Sequence, residues 1–350
     1  MLTLIYISVV STLLATVLVV ALRPIAIRLQ LVDRPSGRKT HKGEVPLIGG
    51  PVIWLVVMTG IIFVIPNPSW SIVFAGTMLV MLGIIDDRQP IPARLKFVFH
   101  IAAATIVVVG DNLYIDDIGI FHEIYTMSSV SVLHKVIAVF AIATAINAFN
   151  FIDGIDGLSA SMALLAMTHI NLTFNLLYGS TPPDYAFFGV LFSGALAGFL
   201  LFNLQVFNGR KIFLGDSGSM LVGLFVAVAL IGASQESGRP GVPPIPASLC
   251  LWLIAIPLTD ILSIIVRRTA SGRSPMAPDR THLHHKIIEA GFSPRRTLLI
   301  LILSAIGAFW LGYALTTFLG EALSIIGFIA FVPGYYFIVL HISSVREYLR

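Results

Sequence analysis

Long apolar runs separated by short polar connections make up almost the whole chain. Eleven of these runs are long enough to cross, or nearly cross, a hydrocarbon core about 30 Å thick. We place them at 2–22, 47–65, 70–85, 94–110, 132–149, 157–178, 185–203, 217–233, 247–266, 297–319 and 322–340. Several runs are short, and Pro257 together with the many glycines predicts kinked or tilted helices. The pattern predicts an all-α fold, a polytopic membrane helical bundle of about eleven transmembrane helices.

The composition agrees with a membrane protein. Of the 350 residues, 57% are hydrophobic and 11% are charged, whereas a soluble domain carries about 25% charged residues. This hydropathy excludes a soluble or nucleic-acid-binding protein. The single cysteine, Cys250, lies in an apolar run, so no disulfide framework is available. The N-terminus lacks the basic region of a cleavable signal, so the first run is expected to be a span. We interpret residues 1–350 as one integral membrane domain.

The basic residues fall in alternate connections between the runs. Twenty of the twenty-two Lys and Arg residues lie on one side, and Lys135 and Arg239 are the exceptions. The positive-inside rule assigns that side to the cytoplasm. We therefore expect the N-terminus outside, the C-terminus in the cytoplasm and an odd number of spans. The cytoplasmic loops, which also carry the distinctive polar clusters, are expected at about 23–46, 86–96, 147–157, 204–219 and 267–296.

Two acidic clusters lie at span boundaries on the predicted cytoplasmic side. The stretch 146–158 reads I-N-A-F-N-F-I-D-G-I-D-G-L and contains Asp153 and Asp156. Carboxylates beside membrane-type sequence are costly unless they pair, bind a metal or face water. Helix capping is the simpler interpretation, although a helix cap needs fewer polar residues than this stretch contains. Adjacent Asp86 and Asp87 repel each other and the helix dipole, so we expect either a raised pKa at one of them or a cation that relieves both. A solvated loop start is the alternative.

A third cluster, F-L-G-D-S-G-S at 213–219, leads into the eighth run. Asp216 with Ser217 and Ser219 offers hard oxygen ligands, and the glycines permit an irregular turn. Mg²⁺ is usually held by one or two carboxylates plus substrate phosphates, which this cluster could supply together with Asn150. A capped helix start is the alternative.

A fourth cluster, P-D-R-T-H-L-H-H at 278–285, contains three histidines, His282, His284 and His285. Three histidines could form a zinc site, but the arginines of this loop, Arg280 among them, suit a phosphate-rich anion better. Asp260, inside the ninth run, is either a functional residue or half of a structural pair with a neighbouring helix.

Together the four clusters indicate Mg²⁺-assisted handling of a phosphorylated substrate at the membrane surface. By themselves these residues do not separate a phosphotransferase from a phosphatase or from a transporter of phosphorylated solutes.

Five motifs, in this order, resemble those of the polyprenyl-phosphate N-acetylhexosamine-1-phosphate transferases. They are P-L-I-G-G-P at 46–51, D-D-R at 86–88, N-A-F-N-F-I-D-G-I-D-G-L at 147–158, F-L-G-D-S-G-S at 213–219 and P-D-R-T-H-L-H-H at 278–285. The H-L-H-H form is similar to the branch that uses N-acetylglucosamine, whereas the lipid I-forming branch typically shows A-P-x-H-H-H-x-E.

The resemblance implies an enzyme that transfers N-acetylglucosamine 1-phosphate from UDP-GlcNAc to undecaprenyl phosphate and releases UMP. This reaction would initiate a cell-surface polysaccharide, such as the lipopolysaccharide O-antigen, and require Mg²⁺, with Mn²⁺ as a substitute. The alternatives are the same reaction with UDP-GalNAc, UDP-FucNAc or UDP-MurNAc-pentapeptide and, in a different class, a membrane transporter.

The resemblance also implies a role for each motif residue. Asp216 would be the principal metal ligand, with Asn150 close to it. Asp86 and Asp87 would be the catalytic residues, Asp86 as the base acting on the lipid phosphate and Asp87 as its neighbour near the metal. The residues implied to bind the substrates are Asp153, Asp156, Lys96, Arg280, His282, His284 and His285. Among these, the two aspartates would line the nucleotide and diphosphate region, and Lys96 would lie near the lipid phosphate. Arg280 and the histidines would bind the diphosphate or select the sugar.

The implied partners are a UDP-N-acetylhexosamine, undecaprenyl phosphate and the lipid bilayer, with no nucleic acid. A homodimer is kept as an alternative to a monomer. The implied location is the bacterial cytoplasmic (inner) membrane, with the active site on its cytoplasmic face. We favour direct attack by the lipid phosphate, and a two-step route through an aspartyl intermediate is the competitor.

Overall fold

A computed structural model describes residues 2–34, 43–64, 68–116, 118, 131–180, 183–207, 209–235, 243–272, 274 and 282–342. The helices are α1 (Leu2–Arg28), α2 (Gly49–Val64), α3 (Trp70–Arg88), α4 (Ala93–Gly110), α5 (Ser131–Ile152), α6 (Leu158–Tyr178), α7 (Pro183–Asn203), α8 (Gly215–Ser234), α9 (Ala247–Leu253), α10 (Ala255–Ala270), α11 (Leu283–Glu289), α12 (Pro294–Leu319) and α13 (Glu321–Leu340). Two short strands, β1 (Val32–Asp33) and β2 (Val45–Pro46), pair antiparallel. The all-α prediction is confirmed.

The helices of the described residues include nine that are long and apolar enough to cross a membrane, or ten if α9 and α10 form one span. The second predicted run, 47–65, coincides with α2, whose 16 residues extend about 24 Å at 1.5 Å per residue. That length falls short of the hydrocarbon core. The structure thus supports a multi-pass membrane protein, but it does not confirm the predicted count of eleven or the predicted orientation of the termini.

The ninth predicted run is broken rather than kinked. Helices α9 and α10 meet at an angle of 82°, and Ile254 between them leaves the helical conformation with φ −123° and ψ 32°. Pro257 explains this position, because it cannot donate to the carbonyl of Leu253 and its ring crowds that carbonyl. Leu253 is the last residue of α9. The proline therefore breaks the helix one turn before itself.

Helix α8 lies at the centre of the bundle. Of the 18 most apolar consecutive residues of α8, 89% are buried, against 17% in the corresponding stretches of α1 and α13. The backbones of α2 and α3 approach its first turn closely: a Cβ on Gly50 or Gly83 would overlap the backbone of Ser217. Small residues permit such close contacts between membrane helices. The start of α8 is therefore fixed by two neighbouring helices.

The P-L-I-G-G-P motif holds the segment that precedes α8. Leu47 forms a parallel bridge with Phe213, and the N–H of Phe213 donates to the carbonyl of Pro46 at 2.8 Å. The N–H groups of Gly49 and Gly50 donate to Phe213 and Leu214 at 3.0 and 3.1 Å. These bonds join the P-L-I-G-G-P motif directly to the F-L-G-D-S-G-S motif, although the two motifs are far apart in the sequence.

Candidate active site

One cavity of about 590 Å³ lies where α3 ends, α8 begins and α5 connects to α6. Six carboxylates line it, namely Asp33, Asp86, Asp87, Asp153, Asp156 and Asp216. Five of the six belong to the predicted site. The structure therefore brings together acidic residues that are more than 120 positions apart in the sequence.

Asp87 caps the start of α8 from another helix. Its Oδ1 accepts the N–H of Asp216 at 2.8 Å, and its Oδ2 accepts the Ser217 hydroxyl at 3.2 Å. Gly215 has φ +73°, and a Cβ there would meet Asp87 Oδ2 at 2.6 Å. A glycine is therefore needed at this position for both conformation and space. Since α8 has no side-chain cap of its own, Asp87 fixes the position of Asp216.

Lys96 joins two of the cavity carboxylates. Its ammonium donates to Asp86 Oδ2 at 2.7 Å and to Asp216 Oδ2 at 3.2 Å. The other oxygen of Asp86 accepts the backbone N–H of Ile91 at 2.6 Å. Asp86 is thus buried with both oxygens hydrogen-bonded, and Lys96 lies between it and Asp216.

Asn150 holds the second oxygen of Asp216. Its amide donates to Asp216 Oδ1 at 3.1 Å and to Ser219 Oγ at 2.9 Å. Asn150 lies in the last turn of α5, one residue beyond the buried Phe149. The predicted proximity of Asn150 and Asp216 is therefore present in the structure.

The connection between α5 and α6 carries Asp153 and Asp156. Burial raises the pKa of the Asp153 carboxyl well above its usual range, and the negative charges of Asp216, Asp87 and Asp156 raise it further. Asp156 is neutralised by Lys211, whose ammonium lies 2.6 Å from Asp156 Oδ2. The connection between α5 and α6 therefore lies close to several other negatively charged side chains.

The cavity fits a hard divalent cation. Its polar lining is dominated by carboxylate oxygens, the ligands that Mg²⁺ prefers, and burial together with repulsion from the other carboxylates raises the pKa of Asp153. Mg²⁺ is usually held by one or two carboxylates and completed by substrate phosphates and water, so a protein site supplies only part of its ligands. Within the described part of the chain, no group of three His, Cys, Asp or Glu side chains is arranged to hold a metal ion.

The histidines lie beside the cavity rather than in its lining. His282 is nine-tenths buried and its Nδ1 lies 2.8 Å from Asp260 Oδ2. His284 packs against Gly154, and neither of its ring nitrogens has a hydrogen-bond partner among the described residues. Burial lowers the pKa of His284 to about 3, with smaller contributions from His285 and His282. His285 is half-buried next to His284. Predicted Arg280 lies outside the described residues.

The structure adds three polar residues to the cavity lining, Asp33, Asn203 and Lys211. Lys211 lies over the Phe213 ring at 4.8 Å, and the buried Asn203 amide donates to the carbonyl of Ile212 at 2.9 Å. The sequence signal for Lys211 was weak, because a lysine beside Arg210 also satisfies the positive-inside rule. Asp260 pairs with the start of a neighbouring helix, α11, through His282 and the N–H of Leu283.

Comparison with known proteins gives a consistent result. Residues 69–234 match the family model described as Glycosyl transferase family 4. The chain is 32% identical over 287 residues to the undecaprenyl-phosphate alpha-N-acetylglucosaminyl 1-phosphate transferase of Escherichia coli (strain K12), covering 81% of this chain and 76% of that protein. The protein of the same name from Haemophilus influenzae is 32% identical over 341 residues, 95% of this chain and 92% of that protein. The Salmonella typhi protein is 31% identical over 298 residues, 83% and 78% of the two chains.

Proposed function

This chain belongs to glycosyl transferase family 4, and we propose that it transfers N-acetylglucosamine 1-phosphate from UDP-GlcNAc to undecaprenyl phosphate. The products are undecaprenyl-diphospho-N-acetylglucosamine and UMP. The names of the relatives support this reaction, since those proteins match most of the chain at 31–32% identity. The reaction initiates a cell-surface polysaccharide.

The observation that carries the proposal is the acidic cavity at the helix ends. Six carboxylates line it. Two positive charges accompany them, Lys211 in the lining and Lys96 beside Asp86. A nucleotide diphosphate entering this cavity would be repelled unless a cation accompanied it. We therefore propose that the enzyme requires Mg²⁺, with Mn²⁺ as a substitute, and that Asp216 and Asn150 would hold it. The bound cation would supply positive charge to offset the negative charge that develops on the transferring phosphate.

The residues of the chain then have separate tasks. Lys96 lies between Asp86 and Asp216 and would hold the lipid phosphate beside the diphosphate. Asp153 and Asp156 would bind the nucleotide side of the substrate. Binding of the diphosphate or selection of the sugar would fall to Arg280 and to the three histidines, His282, His284 and His285. The two buried histidines, His282 and His284, would act by holding the connection between α5 and α6 in place.

The chemistry is a single displacement. An oxygen of the lipid phosphate forms a bond to the sugar-linked phosphorus, and the bond from that phosphorus to the bridging oxygen of UMP breaks. UMP leaves with the electron pair, and Asp86 accepts the proton of the lipid phosphate if one is present. Both oxygens of Asp86 already accept hydrogen bonds, so either role, proton acceptor or nucleophile, would weaken its pair with Lys96. The one-step route is the proposal, and the aspartyl intermediate is the alternative that a labelling experiment tests.

The proposed location is the bacterial inner membrane, with the cavity on the cytoplasmic side. The apolar helices and the basic connections support this orientation. A polyprenyl chain is too apolar to leave the bilayer, so a site at the ends of spanning helices allows its phosphate to reach a water-soluble nucleotide sugar.

The test is an assay of the full-length protein purified in detergent, with undecaprenyl phosphate, Mg²⁺ and a panel of labelled UDP-sugars. We expect UMP release that depends on the lipid, is confined to UDP-GlcNAc, is abolished by EDTA and is restored by Mg²⁺. Activity with UDP-GalNAc, UDP-FucNAc or UDP-MurNAc-pentapeptide instead would keep the reaction and correct the sugar. An absence of UMP with every sugar would overturn the proposal.

A further inference from the structure

Asp260 is a buried carboxylate inside the broken span. It lies in α10 and is 1% exposed. Its Oδ1 accepts the backbone N–H of Leu283 at 2.7 Å, and its Oδ2 lies 2.8 Å from His282 Nδ1. A buried carboxylate is costly unless it is paired and hydrogen-bonded. Both oxygens of Asp260 are directed to the start of the histidine segment, which we define as residues 282–285.

The contact with Asp260 determines where the His282 proton lies. A carboxylate accepts hydrogen bonds and cannot donate them, so His282 Nδ1 carries a proton. In the neutral ring, Nε2 is then the acceptor. The same ring meets the edge of Phe151 with a centroid distance of 5.7 Å and an interplanar angle of 70°. Asp260 thus sets both the tautomer and the position of the imidazole.

The histidine segment in turn supports the connection between α5 and α6. His282 contacts Phe151, which is two residues before Asp153. His284 packs on Gly154 so closely that a Cβ there would overlap its imidazole. Gly154 and Asp153 line the cavity. A continuous series of contacts therefore connects the broken span to the carboxylates of the proposed site.

We infer that Asp260 is a positioning residue for the transferase, which acts by holding His282 in the Nδ1–H tautomer and the histidine segment against residues 151–154. The inference rests on the proposed function and assigns a role to a residue outside the cavity. Asp260 touches no residue of the cavity lining directly among the contacts described, so its effect on turnover would pass through His282.

The informative substitution is Asp260→Asn. The asparagine carbonyl still accepts the N–H of Leu283, so the start of α11 keeps its partner. Its amide N–H, however, faces His282 Nδ1 and favours the opposite tautomer, as a similar exchange does in the serine protease triad. Loss of a residue that orients a histidine typically costs about 10–100-fold in metal-site enzymes, and we expect a loss of that order in kcat/KM for UDP-GlcNAc.

A double-mutant cycle separates this role from a merely structural one. The variants are Asp260→Asn, His282→Gln and the double variant, assayed with thermal unfolding measured in parallel. If Asp260 acts through His282, the double variant is no worse than His282→Gln alone. Losses that multiply, or a kcat/KM unchanged by Asp260→Asn, would overturn the inference. Asp260→Glu should recover part of the activity, because it restores an acceptor for Nδ1.

Glu321→Gln is the matched control. The Glu321 carboxylate accepts the N–H of Ser248 at 3.0 Å at the start of α9, the other half of the same broken span, and has no histidine partner there. We expect its kcat/KM to stay within about twofold of the wild type. An equal loss in this variant would mean that any disturbance of the broken span impairs turnover, which would overturn a specific role for Asp260.

A measurement independent of turnover keeps this inference separate from the proposed function. In the full-length protein labelled with ¹⁵N-histidine, the signal lost in His282→Gln identifies His282. We expect its nitrogen shifts to report Nδ1–H in the wild type and Nε2–H in Asp260→Asn. An unchanged tautomer would overturn the inference even in an active enzyme. The expected change in an enzyme that releases no UMP would leave the Asp260–His282 relationship standing while the proposed reaction fails.

Discussion

The Asp87 carboxylate accepts the backbone N–H of Asp216 at 2.8 Å and so caps α8, a helix to which it does not belong. The preceding residue, Asp86, is directed instead to Lys96. Two adjacent aspartates therefore have different tasks. Lys96 is the cation near this pair, and it supplies its positive charge at Asp86.

Substitutions of Asp87 distinguish a capping role from a chemical one. Asp87→Ala removes the acceptor of the Asp216 N–H, and we expect a loss of about 1–2 kcal/mol in stability and a large loss of turnover. Asp87→Asn retains an oxygen acceptor, so it should keep most of the stability and more activity than Asp87→Ala. Thermal unfolding and UMP release measure the two effects. Equal loss of activity in both variants, with unchanged stability, would instead indicate that the negative charge takes part in the chemistry.

Because α3 and α8 approach each other closely, a single methyl group added between them is expected to lower the stability of the protein. In Gly83→Ala the added Cβ would overlap the backbone of Ser217, and backbone atoms cannot move aside cheaply. We expect a destabilisation of about 1–3 kcal/mol and reduced activity through displacement of Asp216. Gly334→Ala in α13 is the control, since nothing lies within 4 Å of its added Cβ. If both variants unfold at the wild-type temperature, the helices are less tightly packed than described.

The one-step route predicts no covalent enzyme adduct. Asp86→Asn removes the proton acceptor and weakens the pair with Lys96, so turnover should fall by about 10²–10⁴-fold. The wild type incubated with Mg²⁺ and UDP-GlcNAc labelled in the sugar-linked phosphate should carry no label after denaturation when undecaprenyl phosphate is omitted. Label retained by the wild type and absent from Asp86→Asn would establish the two-step route.

His284 predicts a loss of stability in acid. The pKa of His284 is about 3 in the folded protein and about 6.5 in an unfolded chain. Between these values the unfolded chain binds a proton that the folded protein does not, so stability falls as the pH drops below 6.5. From pH 7.5 to 5.5 the contribution falls by about 1.4 kcal/mol. The fall in unfolding temperature over this range should be smaller in His284→Gln than in the wild type. His341→Gln, at the exposed end of α13, should behave like the wild type.

The sequence predicted the helices well because membrane spans have a strong one-dimensional signal. Each of the eleven apolar runs lies on a helix or, at 247–266, on the pair α9 and α10. Three features had no such signal. The break at Ile254 depends on local geometry around a proline that many membrane helices tolerate. Helix α11 has seven residues in a polar loop, and strands β1 and β2 have two residues each.

Five of the six cavity carboxylates were predictable because charge beside apolar sequence is costly. Asp86, Asp87, Asp153, Asp156 and Asp216 all line the cavity. What the sequence could not supply was the choice of partners. Nothing in the motifs directs Asp87 to a helix start or Asp260 to His282, because both contacts depend on the packing of distant segments. The placement of the histidines beside the cavity, rather than in its lining, has the same cause.

The cavity takes its walls from residues as far apart as Asp33 and Pro294. A ribosome adding about 5–20 residues per second releases the N-terminal part of a chain first. A nascent chain that has emerged only through α8 already contains all six cavity carboxylates, but it lacks Pro294 and the segment held by Asp260. The catalytic chamber is therefore completed late in synthesis. An unfinished polypeptide that stops after α8 would present the cavity carboxylates without the wall that Pro294 supplies.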